Sequence, residues 1–98
     1  MDIIFEIKDK TNRKIRLTKK QWSHINKKHP QVASYQEEII NALKNPLKIT
    51  DYAIESNVRY YYKYFKHRNV SEKYLKIIVK YLNGKGFVIS AFFDREIK

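Results

Sequence analysis

Cysteine is absent, which excludes a disulfide framework and thiolate metal sites and fits a reducing, cytoplasmic setting. Glycine and proline occur only twice each, so the backbone is punctuated at few places, and those few are informative. No apolar run approaches the roughly 18 residues of a membrane span. No basic-then-apolar leader opens the chain, so neither a membrane anchor nor a signal peptide is expected. Carboxylates are scarce as well: 10 Asp and Glu stand against 21 Lys and Arg. They are scattered rather than clustered, which argues against a metal-dependent nuclease centre and for chemistry without a metal or other cofactor.

What is present is one domain's worth of chain, residues 1–98, with 43% hydrophobic residues to build a core. A net charge of +11 on so small a body draws polyanions. The basic residues spread over strands and loops rather than along one amphipathic helix, which favours nucleic acid over a membrane surface.

Residues Asp2–Lys8 alternate around Ile3, Phe5 and Ile7, predicting a half-buried strand, and Lys14–Leu17 predicts its antiparallel return. Thr18 with Gln21 reads as a capping box, and Pro30 stops the helix near Lys28. On this helix Trp22, Ile25 and His29 share the apolar stripe, while His24 points away beside Lys20 and Lys28. Ser34 with Glu37 predicts a second capped helix over about Tyr35–Lys44, closed by Asn45-Pro46. Strands are predicted at Leu47–Ile54, Val58–Phe65, Tyr74–Leu82 and Phe87–Phe93, with a turn at Asn83-Gly84. The expected fold is α+β: two N-terminal helices packed on one face of an antiparallel β-sheet.

Alternation predicts the faces of that sheet. Leu75, Ile77, Val79 and Tyr81 are expected under the helices, with Phe87, Ile89, Ala91 and Phe93 of the last strand. The open face is expected to carry Lys76, Lys80 and Ser90 together with Arg59, Tyr61 and Lys63. Cations with interleaved rings suit unpaired RNA, because cations hold phosphates and rings stack on bases. Metal-independent cleavage needs in addition a proton acceptor, a proton donor and a cation for the charge developing on phosphorus. His24 and His29 are the candidate acid and base, in either order, with His67 in a polar loop. Each also has a plain role: His29 as a helix-end cap, His24 as an idle surface residue.

The segment Trp22-Ser23-His24-Ile25, followed by His29-Pro30, Asn45-Pro46, Tyr61-Tyr62-Lys63 and Val88-Ile89-Ser90-Ala91, resembles the barnase–EndoU–colicin–RelE superfamily of small ribonucleases. Its phage-associated branch, with a W-x-H-I-x3-H-P helix and a closing strand ending in [T/S]-A, is the most similar. The resemblance spans about Leu17 to Phe93. It implies a RelE-like nuclease fold, RNA cleavage by acid–base chemistry, and use as a toxin held by an acidic antitoxin protein. It also implies His24, His29, Tyr62, Lys63 and Ser90 as site residues; charge adds Arg59, and the open face adds Tyr61, Lys76 and Lys80 as RNA contacts. Strict alternation sets Tyr62 and Lys63 on opposite faces; a bulge or an edge twist reconciles the pair, or else Tyr61 alone is the right tyrosine. Two other functions fit the same residues: a non-catalytic single-stranded RNA-binding module, and a basic protein whose main task is to bind an acidic partner.

Overall fold

The computed structural model describes residues 2–52 and 54–97. Strand β1 (Ile3–Lys8) turns back into β2 (Lys14–Thr18). Asp9 holds this turn: its carboxylate accepts from the Thr11 and Arg13 backbone N–H groups, each at 2.9 Å, and from the Thr11 hydroxyl at 2.8 Å. Helix α1 (Lys19–Lys28) leaves β2 directly, its N-terminus capped by the Thr18 hydroxyl, which accepts from the Gln21 N–H at 3.1 Å. The Gln21 side chain, expected to complete a capping box, donates to the Ile89 carbonyl at 2.7 Å.

A single 3-10 turn at Pro30–Val32 leads into α2 (Gln36–Lys44). The expected Ser34 cap does not form. The 3-10 turn carries the backbone past Ser34 through the Ala33 N–H to Pro30 carbonyl bond (3.2 Å) and the Tyr35 N–H to Val32 carbonyl bond (2.9 Å). Tyr35 then takes the cap position with no side-chain bond to the helix.

Four strands follow: β3 (Lys48–Asp51), β4 (Val58–Tyr64), β5 (Tyr74–Leu82) and β6 (Lys85–Asp94). The expected strand Leu47–Ile54 thus shortens; Ala53, within that expectation, lies outside the described residues. Asn83 and Gly84 take φ of 53° and 79°, the double positive turn that joins β5 to β6.

The six strands lie in the order β1-β2-β6-β5-β4-β3. The molecule is α+β as expected, but the helices fall between β2 and β3, and the sheet is mixed rather than antiparallel. β2 runs parallel to β6, sharing only the pairs Ile15↔Gly86 and Arg16↔Phe87, while the other neighbours are antiparallel. Gly86 permits this approach: a Cβ there would lie 3.0 Å from side-chain carbons of Ile15, Val79 and Tyr81. Beyond the two pairs β2 gives way to α1, which fills the gap along β6 and is tied there by Gln21.

One face of the sheet is closed by Ile25 of α1, Val32, and Ile39, Ala42 and Leu43 of α2, packed on Ile15, Leu17, Leu75, Ile77, Val79, Val88, Ala91 and Phe93. Each fully enclosed Leu, Ile or Val contributes about 1.5–3 kcal/mol through removal from water. Trp22 is only half-buried at the edge of this core. No helix is long and apolar enough to cross a membrane among the described residues.

Candidate nucleic-acid interface

Strand register decides which side chains share the open face. β4 pairs with β5 through Tyr60↔Ile78, Tyr62↔Lys76 and Tyr64↔Tyr74. β5 pairs with β6 through Tyr74↔Asp94, Lys76↔Phe92, Ile78↔Ser90 and Lys80↔Phe87. Directly opposed residues point the same way, so the open face is a grid in which Lys76 sits between Tyr62 and Phe92, with Asp94, Tyr74 and Tyr64 on one side. Ser90, Ile78 and Tyr60 lie on the other side, and Lys80 beyond them.

Two face expectations are corrected. Arg59, Tyr61 and Lys63 point to the helix side, because Tyr61 lies opposite Ile77 and Lys63 opposite Leu75. Both faces of β4 mix rings with polar groups, so alternation could not choose between them. Tyr61 finds a buried partner in the Asp9 carboxylate and shares a hydrogen bond with the Tyr81 hydroxyl. Arg59 and Lys63, nearer the strand ends, carry their charged groups outward along apolar stems. Arg59 pairs with Asp51 at 3.4 Å, and the Lys63 ammonium donates to the Asn41 side-chain oxygen at 2.7 Å.

The second correction lies in β6. Its register shifts between Ile78 and Val79, leaving Ile89 as the extra residue of a bulge. Val88, at 1% exposure, therefore joins Ala91 and Phe93 in the core, and Ile89 at 37% does not.

The open face centres on Lys76, which is only 6% exposed. Its Nζ lies 4.1 Å from the Tyr60 ring centre, 5.8 Å from that of Tyr62 and 5.6 Å from that of Phe92. The Asp94 carboxylate is 3.8 Å away. An ammonium this enclosed is held by one carboxylate and the electron-rich faces of three rings. Tyr60 stacks obliquely with Tyr52 at 5.6 Å, and Tyr74 lies against both Tyr62 and Tyr64. Burial pushes the Tyr60 phenol up, with Tyr52, Tyr62 and Glu55 adding to the effect, so it is a neutral donor and acceptor near pH 7.

His29 caps the end of α1, its backbone N–H bonded to the Ile25 carbonyl at 2.7 Å. Its half-buried ring stacks on Phe92 at 5.0 Å between centres. Phe92 therefore carries an imidazole on its surface and lies beside the caged ammonium of Lys76. Ser90 and Asp94 flank Phe92 along the same face of β6, and Lys80 reaches Glu55 at 3.8 Å.

Of the residues singled out in the sequence, His29, Tyr62, Lys76, Lys80 and Ser90 share this face. Tyr61, Lys63 and Arg59 lie behind the sheet, where Lys63 borders a shallow depression of about 350 Å³ with Glu37, Glu38 and Asn41, acidic surroundings that suit no phosphate. His24 is exposed on the far side of α1, and His67 is exposed in the β4–β5 connection. Sequence reasoning missed Asp94, Tyr60, Tyr74 and Phe92; the alternation of β6 from Phe92 to Asp94 was the available signal for Asp94. Among the described residues no three His, Asp or Glu side chains gather as a metal-ligand set. Compared with known protein families and with curated proteins, the chain matches none.

Proposed function

We propose that the protein is a small metal-independent endoribonuclease of the barnase–EndoU–colicin–RelE type, acting in the cytoplasm as a toxin restrained by an acidic antitoxin protein. The observation that carries this reading is the shared open face: an imidazole stacked on Phe92, next to a buried ammonium among tyrosines and beside a carboxylate. Those are the three elements that cleavage through the ribose hydroxyl requires. The 2′-oxygen attacks phosphorus as its proton passes to Asp94. The bond from phosphorus to the 5′-oxygen breaks, and that oxygen takes a proton from the His29 imidazolium. Lys76 stabilises the charge that builds on the phosphoryl oxygens, an effect strengthened by its exclusion from water. Ser90 bonds a phosphoryl oxygen, and Tyr60 and Tyr74 offer rings to the flanking bases. The products are a 2′,3′-cyclic phosphate and a free 5′-hydroxyl.

Incubation of the purified protein with total RNA in EDTA tests this directly. Cleavage leaving 2′,3′-cyclic ends is the expected result. Intact RNA across several substrates would favour the second reading, a single-stranded RNA-binding module. That reading is favoured by one observation: His24 and His67 are both exposed away from the open face, so one imidazole alone stands at the proposed centre.

A further inference from the structure

Helix α1 carries an arrangement that the stability of a helix does not call for. Its ten residues include Lys19, Lys20, Lys27 and Lys28 and no carboxylate. Lys19 and Lys20 occupy the first turn, where the helix dipole disfavours positive charge. No acidic residue stands three or four positions away within the helix to offset them. Five cations elsewhere have carboxylate partners: Arg16 pairs with Glu6, Arg59 with Asp51, Arg68 with Glu72, Lys76 with Asp94 and Lys80 with Glu55. Among the described residues none of the four α1 lysines has a carboxylate partner.

At about 100° per residue, Lys20, His24, Lys27 and Lys28 fall on one side of the helix, and all four are exposed. From Lys20 to Lys28 this stripe runs roughly 12 Å. His29, which follows Lys28 as the helix cap, touches the open face through Phe92. The C-terminal end of the basic stripe is therefore followed directly by the residue that reaches the sheet site.

We infer that the outer side of α1 is a second RNA-contacting surface, on which the strand flanking the scissile bond runs with its phosphates against Lys20, His24, Lys27 and Lys28. The inference rests on RNA being the ligand of the open face, and it assigns to His24 a phosphate contact rather than proton transfer. A substrate that reaches both surfaces must continue past the cleaved bond, so short fragments are poor ligands and longer unpaired strands good ones.

The test measures affinity for a fluorescent, fully 2′-O-methylated 20-nucleotide RNA, which cannot be cut, across a range of KCl concentrations. Two triple variants of the full chain are compared with the parent: Lys20→Gln/Lys27→Gln/Lys28→Gln on α1, and Lys8→Gln/Lys10→Gln/Lys14→Gln around the β1–β2 turn. Each lost phosphate contact flattens the log–log salt slope by about 0.7 for a single strand. The α1 variant is expected to lower the slope by about 2, the hairpin variant to leave it nearly unchanged. Equal losses in both, or none in either, would overturn the inference, as would α1-dependent binding of vesicles containing anionic lipid with no α1-dependent binding of RNA. Because the probe cannot be cleaved, a protein that binds it through α1 yet cuts no RNA removes the nuclease reading and leaves this one standing.

Discussion

Lys63 and Lys76 exchange roles between sequence and structure, and one pair of variants decides between them. In Lys76→Met a side chain of similar length fills the same space while the ammonium is lost. At 3.8 Å from Asp94, that charge contributes roughly 4 kcal/mol of attraction at an effective dielectric near 20. Much of this is offset by the cost of keeping the ammonium from water. Asp94, with a side-chain exposure of 15%, regains solvent once unpaired. The net destabilisation is therefore about 1–3 kcal/mol, within reach of a domain that has about 5–15 kcal/mol. Catalysis loses the group that meets the developing phosphoryl charge, a loss of about a hundred- to a thousandfold in single-turnover rate. Lys63→Met removes the bond to Asn41 and the ammonium's contact with the Phe65 ring, both on the opposite side of the sheet, and cleavage should stay within about twofold of the parent. Single-turnover cleavage of a defined RNA, with urea unfolding of each variant as the check on folding, measures both. A folded Lys76→Met that cuts as fast as the parent, or a folded Lys63→Met that has lost activity, would refute the assignment of the site to the open face.

His29→Gln should lower single-turnover cleavage about a hundredfold or more, whereas His67→Gln should not; a fully active His29→Gln removes the imidazole from the mechanism. Tyr61→Phe strips Asp9 of a buried donor, and a hydrogen bond to a charged group contributes about 1.5–3 kcal/mol, so its urea midpoint should fall clearly below the parent's. Burial and the Asp9 and Tyr81 hydrogen bonds raise the Tyr61 phenol, and burial raises Tyr81. Their contribution is complete below the ordinary tyrosine value of about 10 and is lost as pH rises through the higher folded values. Urea midpoints should therefore fall above about pH 10, and less steeply in Tyr61→Phe than in the parent; equal slopes would contradict the burial argument. Gly86→Ala forces a Cβ to within 3.0 Å of Ile15, Val79 and Tyr81 and should cost about 1–3 kcal/mol by overpacking, read from thermal unfolding; an unchanged midpoint would mean that β2 moves aside freely.

Local signals carried much of the fold. The Thr18 cap, Pro30, the Asn83-Gly84 turn and the period of β5 each act over a few residues, and each element they predict is present near its expected bounds. What the sequence could not supply was anything decided by partners distant in the chain. The side of β4 that faces the helices depends on Asp9 and Tyr81, 52 and 20 residues away from Tyr61. The face of Val88 depends on a bulge that one strand makes against another. The parallel join of β2 to β6 depends on Gly86 admitting Ile15. The proposed site suffered most from this, because a one-residue change of phase moves Lys63 and Arg59 off the face and puts Tyr60 and Tyr62 on it. Asp94 escaped notice because the only local signal for a single carboxylate at a strand end is its alternation with Phe92.

The placement of β6 has a consequence for how the molecule comes into being. It is made after the other five strands, yet it lies third in the sheet, between the hairpin of β1 and β2 and the meander of β3, β4 and β5. Translation proceeds at about 5–20 residues per second, so for a short interval before β6 is made the growing chain holds two separate sheet fragments with no strand to join them. Hairpin and meander join in one sheet only when Gly86 reaches Ile15, a closure across some seventy residues that slows folding as long-range pairings do. Ser90, Phe92 and Asp94 also arrive on that last strand. Hence the nascent chain lacks the open-face constellation until β6 has been made, and any activity housed there switches on only once the sheet is welded from its middle.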